Sequence, residues 1–351
     1  MSNPLLGVVF HWLGGFASAS FYVPFRMVRG WAWEIYWLIG GIFSWVLAPW
    51  LFAYWQTPEL GRLLIEADFH TLSWCVVFGL LWGLGGLTFG LTMRYLGLSL
   101  GMAVALGLCA FFGTLVPPIV KGNFFSDVLP SLHGKIILLG LAMCLMGISI
   151  IALGGKLKER DMNAEDAQKQ IAEFDLRKGL LVALFCGLMS SCFAFGIAAG
   201  DSISKQAVVL GANPLFAGLP VICVVLVGGA TTNFIWCSYL IIRNRSLRSL
   251  TITQNTRSRS SLVNLAWCAL AGVTWYFQFF FYTMGESQMG KYGFSSWTLH
   301  MASIIIFSSL WGLALKEWQG AQRKTMMAVF SGLLFLVGST VVIGIGNSMA
   351  L

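Results

Sequence analysis

The sequence predicts an all-α integral membrane protein of ten transmembrane helices arranged as a 5+5 inverted repeat. Three observations carry that reading: the composition, the number of apolar windows of membrane length, and the sidedness of the basic residues. Of 351 residues, 57% are hydrophobic and 10% charged, whereas soluble domains hold about 25% charged residues. A spanning helix needs about 20 mainly apolar residues, and ten such windows occur, near 4–24, 34–55, 71–92, 97–118, 135–154, 179–200, 214–242, 261–284, 295–315 and 325–346.

The first window resembles a secretory signal only superficially. It lacks a basic stretch ahead of the apolar run and is followed by Arg26 and Arg29 rather than a small-residue cleavage site, so it is expected to be retained. Windows two to five follow with short connections. A mixed-charge stretch then separates the fifth from the sixth, giving residues 1–155 as a first five-helix repeat, 156–178 as a charged linker and 179–351 as a second repeat. Span 1 carries Gly15, Ser18, Ser20 and Phe21, and span 6 carries Gly187, Ser190, Cys192 and Phe193 at the same spacing. An odd number of spans per half inserts the two copies in opposite senses, with a substrate site expected between them near the midplane.

The net charge of +8 is an orientation signal rather than a sign of nucleic-acid binding. All but five of the 22 Lys and Arg lie on the side of the odd-to-even connections; the exceptions are Arg62, Lys121, Lys135, Lys205 and Lys291. The linker is therefore expected in the cytoplasm and both termini in the periplasm. All eight cysteines fall inside windows and read as apolar filler; no spacing suggests a metal, and no cofactor is expected. Glycine is dense in spans 3 and 4, where it lets backbones approach closely. Pro220, inside window 7, is expected to bend that helix.

Ionisable groups inside hydrocarbon are functional candidates. His11 in span 1 and His300 in span 9 share a depth in the outer third of the bilayer, and histidine titrates near neutral pH, so either could carry a coupled proton. Glu34, Asp201 and Glu286 stand at span ends and are the next candidates for proton coupling. In span 8 the run from Trp275 to Tyr282 places Gln278 at the centre of seven aromatic residues. Aromatic faces stack on sugar rings while amides and hydroxyls bond their hydroxyl groups. The expected substrate-binding set is Tyr22, Trp275, Gln278 and Tyr282. No convergent acid/base or metal constellation suggests an enzyme.

Several segments identify a family. Phe21-Tyr22-Val23-Pro24-Phe25, Gly90 through Gly97, Gly122-Asn123-Phe124, Trp275-Tyr276 with Gln278 through Tyr282, Ser296-Trp297, Leu299-His300-Met301 and Leu315-Lys316-Glu317-Trp318 resemble the bacterial L-rhamnose/proton symporter family of the drug/metabolite transporter superfamily. The resemblance runs from the first span to the last. It implies an inner-membrane carrier that imports L-rhamnose or a related sugar with protons, having the sugar, protons and membrane lipid as partners and no nucleic acid. The alternative on the same fold is an exporter or exchanger of amino acids or other small metabolites. The chain departs from the family's pattern at Gly86-Leu87-Thr88-Phe89, where the rhamnose carriers have Asn-x-Asn-Tyr. It also departs near Ala198 (Asn), at Asp201 (Lys) and at Glu286 (His). These changes alter the hydroxyl pattern a pocket would recognise.

Overall fold

The computed structural model describes residues 3–120, 122, 124–161, 175–251, 261–289 and 296–349. Among the described residues there is no strand. The longer helices are α1 (Pro4–Ser20), α2 (Trp33–Gln56), α3 (Phe69–Leu96), α4 (Leu98–Val120), α5 (Leu132–Asp161), α6 (Leu176–Ala199), α7 (Leu219–Asn244), α8 (Ser261–Met289), α9 (Ser296–Ala314) and α10 (Arg323–Ser348). Eight helical stretches among the described residues are long and apolar enough to cross a membrane, and α4 and α9 hold shorter apolar stretches, Leu100–Val116 and Leu299–Ala314. The protein is therefore a multi-pass membrane protein. Its lipid-compatible surface carries exposed Leu, Ile, Phe and Trp, as at Leu5, Trp55, Phe69 and Ile235. Most of the 156–178 linker lies outside the described residues.

The helices follow from their residues, and so do their irregularities. α2 widens into a π-helical stretch at Ile42–Leu47 just ahead of Pro49. Proline has no N–H to give to the carbonyl four residues back, which here belongs to Trp45, and the helix accommodates the loss by loosening the preceding turn. Pro220 corrects the expectation of a bend. It sits in the first turn of α7, after a 3₁₀ turn at Pro214–Phe216, where a proline fits without strain. α7 then ends on Arg245 in the left-handed region, φ +52, with the Ser246 N–H returning to the Ile241 carbonyl.

The chain forms two compact units. One contains Met1–Phe16, Gly85–Ser191 and Gln288–Leu351; the other contains Ala17–Leu84 and Cys192–Ser287. Each takes helices from both halves of the sequence. In the first unit the most extensive pairing joins α5 and α10. Gly140, Gly147 and Gly154 recur every seventh residue along α5, and a Cβ on Gly147 would come within 3.0 Å of the Gly332 carbonyl oxygen on α10. Lipid supplies no hydrophobic force between helices, so close packing and small residues hold such a pair together. In the second unit α3 and α7 meet backbone to backbone: Cβ atoms on Gly79 and Gly228 would collide with the carbonyls of Val225 and Val76. On α8, Gly272 is pressed in the same way against the Gly40 carbonyl of α2.

Candidate functional site

The two histidines meet in the first unit because of how α1 and α9 cross. Gly15 lies against Ser303 with no room for a Cβ, and the Ser303 hydroxyl donates to the His300 carbonyl (2.7 Å) and, across the crossing, to the His11 carbonyl (3.0 Å). One turn back from this point on each helix, the imidazoles of His11 and His300 stand with centroids 5.9 Å apart at 63°. Both are buried, at 0% and 3% exposure. Outside them, Trp12 and Phe16 pack edge-on against Phe307. The two histidines expected from sequence to share a depth thus form a single buried pair of titratable rings.

The aromatic run of α8 lies in the second unit. Trp275, Gln278, Phe279 and Tyr282 follow the i, i+3, i+4, i+7 spacing of one helix face. Trp275 is the hub of the cluster. It stacks on Phe21 at 4.6 Å and 5°, and its centroid is 5.2 Å from Trp37, 5.3 Å from Trp45 and 6.2 Å from Trp82. Tyr22 is half-buried, with its ring 4.3 Å from Phe21 and 6.2 Å from Trp37. Phe21 and Tyr22 sit where α1 gives way to a one-turn helix at Tyr22–Phe25.

Sequence reasoning passed over Asn233, Trp37 and Trp82. Asn233, fully buried on α7, accepts from the Trp37 indole N–H (2.9 Å) and donates to the carbonyls of Gly83 on α3 (3.2 Å) and Gly229 on its own helix (2.8 Å). A single amide thereby ties α2, α3 and α7 and fixes the ring that stands against Trp275. The signal was present, because a lone asparagine in an apolar span needs a partner on another helix.

The remaining acidic candidates separate. Glu34 is buried at the start of α2, where its carboxylate accepts from the Ser246 hydroxyl and from the Asn244 amide (3.1 Å) at the end of α7. The same corner is closed by a reciprocal pair, Arg29 N–H to the Asn264 side-chain oxygen (3.2 Å) and the Asn264 amide to the Arg29 carbonyl (2.8 Å). Glu34, placed at a span end by the sequence, is thus hydrogen-bonded inside the protein. Asp201 begins a separate helix, Asp201–Val209, and is exposed and ion-paired to Lys205 at 2.5 Å. Glu286 is half-buried one turn beyond the buried Tyr282.

Long apolar helices, with a buried pair of titratable rings in one unit and an aromatic cluster in the other, define a polytopic membrane protein. The chain matches the family model described as L-rhamnose-proton symport protein (RhaT) over residues 1–350. It is 36% identical to the L-rhamnose-proton symporter of Mannheimia succiniciproducens over 343 residues, 97% of this chain and 98% of that one. It is also 36% identical over 350 residues to the symporter of Yersinia pestis, covering 99% of each. Against that of Pectobacterium atrosepticum it is 35% identical over 353 residues, 99% of this chain and 100% of the relative. The chain belongs to the L-rhamnose-proton symporter family.

Proposed function

We propose that the protein is a proton-coupled secondary transporter that imports L-rhamnose or a closely related sugar across the bacterial inner membrane. The observation that carries the reading is full-length similarity to relatives named as L-rhamnose-proton symporters. Two buried groupings of the right chemistry support it: the histidine pair and the aromatic face around Gln278.

The carrier has ten spans as a 5+5 inverted repeat, with residues 1–155 and 179–351 as the two copies, the 156–178 linker in the cytoplasm and both termini in the periplasm. Helix pairings support the repeat. Sending each helix of the first half to its counterpart in the second turns α3 against α7 into α8 against α2, and α1 against α9 into α6 against α4. All four contacts rest on a glycine: Gly79, Gly272, Gly15 against Ser303, and Gly187 against Leu108. The α5–α10 pair maps onto itself.

His11 and His300 carry the coupled proton as a unit. At a centroid separation of 5.9 Å in an apolar surrounding, two positive imidazoliums would repel strongly, so the pair takes up one proton rather than two. With the sugar and one proton bound the carrier turns inward, and release of both leaves the neutral, empty pair to return outward; Glu286 is the next acid in line. Tyr22, Trp275, Gln278 and Tyr282 bind the sugar.

The test compares uphill uptake with counterflow in His11→Gln and His300→Gln. Either variant should lose accumulation against a gradient while retaining counterflow, which needs no net proton movement. If both still accumulated sugar and were still collapsed by a protonophore, the proton would have to travel on another group.

A further inference from the structure

We propose that Trp82 and Trp275 are a symmetry-related pair that forms the stacking platform for the sugar; the proposal rests on the inverted-repeat sugar-carrier reading and assigns its binding site. Nothing in the sequence alone singles out Trp82. Its position becomes informative when α3 and α8 are set side by side: Gly79, Trp82, Phe89 and Leu96 occur at the same spacing as Gly272, Trp275, Tyr282 and Met289.

The structure supports that register independently. Gly79 and Gly272 make the equivalent close crossings, onto Val225 of α7 and Gly40 of α2. The ring partners are exchanged in the same way. Trp275 stacks on Phe21, and Trp82 packs against Phe193 at 5.4 Å, with Phe21 and Phe193 themselves at matching positions after Gly15 and Gly187. Trp82 and Trp275 then lie 6.2 Å from each other. A residue and its symmetry mate can touch only close to the axis that relates them, and in carriers built this way the substrate sits near that axis at mid-membrane.

Exposure separates the platform from its support. Phe21, Trp37 and Trp45 are sealed at 0%, 1% and 0%, whereas Trp82, Trp275, Gln278, Phe279 and Tyr282 keep 7%, 5%, 8%, 5% and 5%. The residues that keep this residual exposure are Trp82 and one face of α8. Asn233 holds the sealed layer in place behind it through Trp37. Two indoles beside one neutral amide suit an uncharged pyranose with a C–H-rich face, whose few hydroxyls facing the wall are met by Gln278. Sugar acids and sugar phosphates should be refused, because none of these five side chains could balance their charge.

The experiment measures equilibrium binding of L-rhamnose, with L-rhamnonate as the acidic comparison, to purified wild type, Trp82→Phe, Trp275→Phe and Trp74→Phe. Trp74 lies on α3 and is 45% exposed, so it serves as a control. Each of the first two variants should weaken binding about tenfold and raise the KM for counterflow with little change in maximal rate, since the smaller ring loses stacking area without altering the crossing glycines. Trp74→Phe should bind as wild type does, and the acid should not bind. Tryptophan oxidation mapped by mass spectrometry on the wild type provides a second measurement: saturating L-rhamnose should slow modification of both Trp82 and Trp275. Wild-type affinity in either folded variant, or unprotected oxidation of either residue, would overturn the paired platform. Absence of binding by any neutral sugar to wild type would instead remove the carrier reading on which the platform rests.

Discussion

α3 and α8 share a register of glycine and tryptophan, yet one helix is thin and the other bulky between those landmarks. After Trp82, α3 continues Gly83, Leu84, Gly85, Gly86, Leu87, Thr88; after Trp275, α8 continues Tyr276, Phe277, Gln278, Phe279, Phe280, Phe281. The shared positions are those at which a Cβ would strike a neighbouring backbone or at which a tryptophan packs on a phenylalanine. The divergent positions answer to different surroundings. On α3, Gly83 leaves space for α7 to approach and offers its carbonyl to Asn233. On α8, Tyr276 and Phe280 join Phe52 in a separate ring cluster, with centroids 5.5 and 5.0 Å from it. The difference teaches that packing at the crossings constrains both helices, while bulk and polarity between the crossings are free to become specialised for a ligand.

The most drastic test of the comparison is topological, because an inverted repeat requires α3 and α8 to run in opposite senses through the membrane. Cysteine introduced as Asn163→Cys should be protected from an impermeant thiol reagent in intact cells, while Gly61→Cys, in the α2–α3 connection, should be labelled. The background is low because all eight native cysteines are buried. Reaction at Asn163→Cys would reverse the proposed orientation.

Next in size are the crossings. Gly79→Leu and Gly272→Leu would each force a side chain into a carbonyl of the facing helix, and overpacking of that kind costs about 3 kcal/mol or more. Both should lose most of the folded protein recovered in detergent by size-exclusion chromatography. If one tolerated leucine and the other did not, the two crossings would not be equivalent.

A smaller effect is expected from the hydrogen bonds that support the aromatic layer. Asn233→Ala removes the acceptor for Trp37 and the donor to Gly83, at a cost of about 1–2 kcal/mol for buried groups in a membrane interior. Thermal unfolding should register the loss. Trp37→Phe in the Asn233→Ala background should cost less than Trp37→Phe alone, since the bond is already absent; additive losses would show that the two residues act separately. Gln278→Ala should leave folding intact and weaken sugar binding by roughly 1–3 kcal/mol; wild-type affinity would return Gln278 to a packing role. The smallest change is Gly61→Ala. No atom lies within 4 Å of a Cβ there, and alanine in place of glycine inside the short helix Leu60–Glu66 should stabilise by up to about 1 kcal/mol.

Much of this architecture was legible in the sequence because the membrane imposes simple rules. Apolar length located the helices, and the shared depth of His11 and His300 anticipated that they could meet, which the Gly15–Ser303 crossing brings about. What hydropathy could not supply was the third dimension. It located window 7 without its helix start, so Pro220 read as a kink although it lies in the first turn. It placed Glu34 at a span end, with no means of knowing that Asn244 and Ser246 would come to it from another helix. Trp82 was passed over for the same reason: the meaning of an aromatic residue inside a span depends on which helix it faces, and a one-dimensional apolar pattern does not record that, whereas Asn233 was legible as a polar group in need of a partner whose identity was not.

The most direct test of the central claim is sugar uptake by purified protein in sealed proteoliposomes under an imposed pH gradient, acid outside. The account predicts that labelled L-rhamnose, or another neutral sugar of similar shape, accumulates above its external concentration while the gradient lasts, and that a protonophore returns it to equilibrium. Uptake that proceeds equally with and without the gradient, or the failure of every neutral sugar tested to enter, would contradict it.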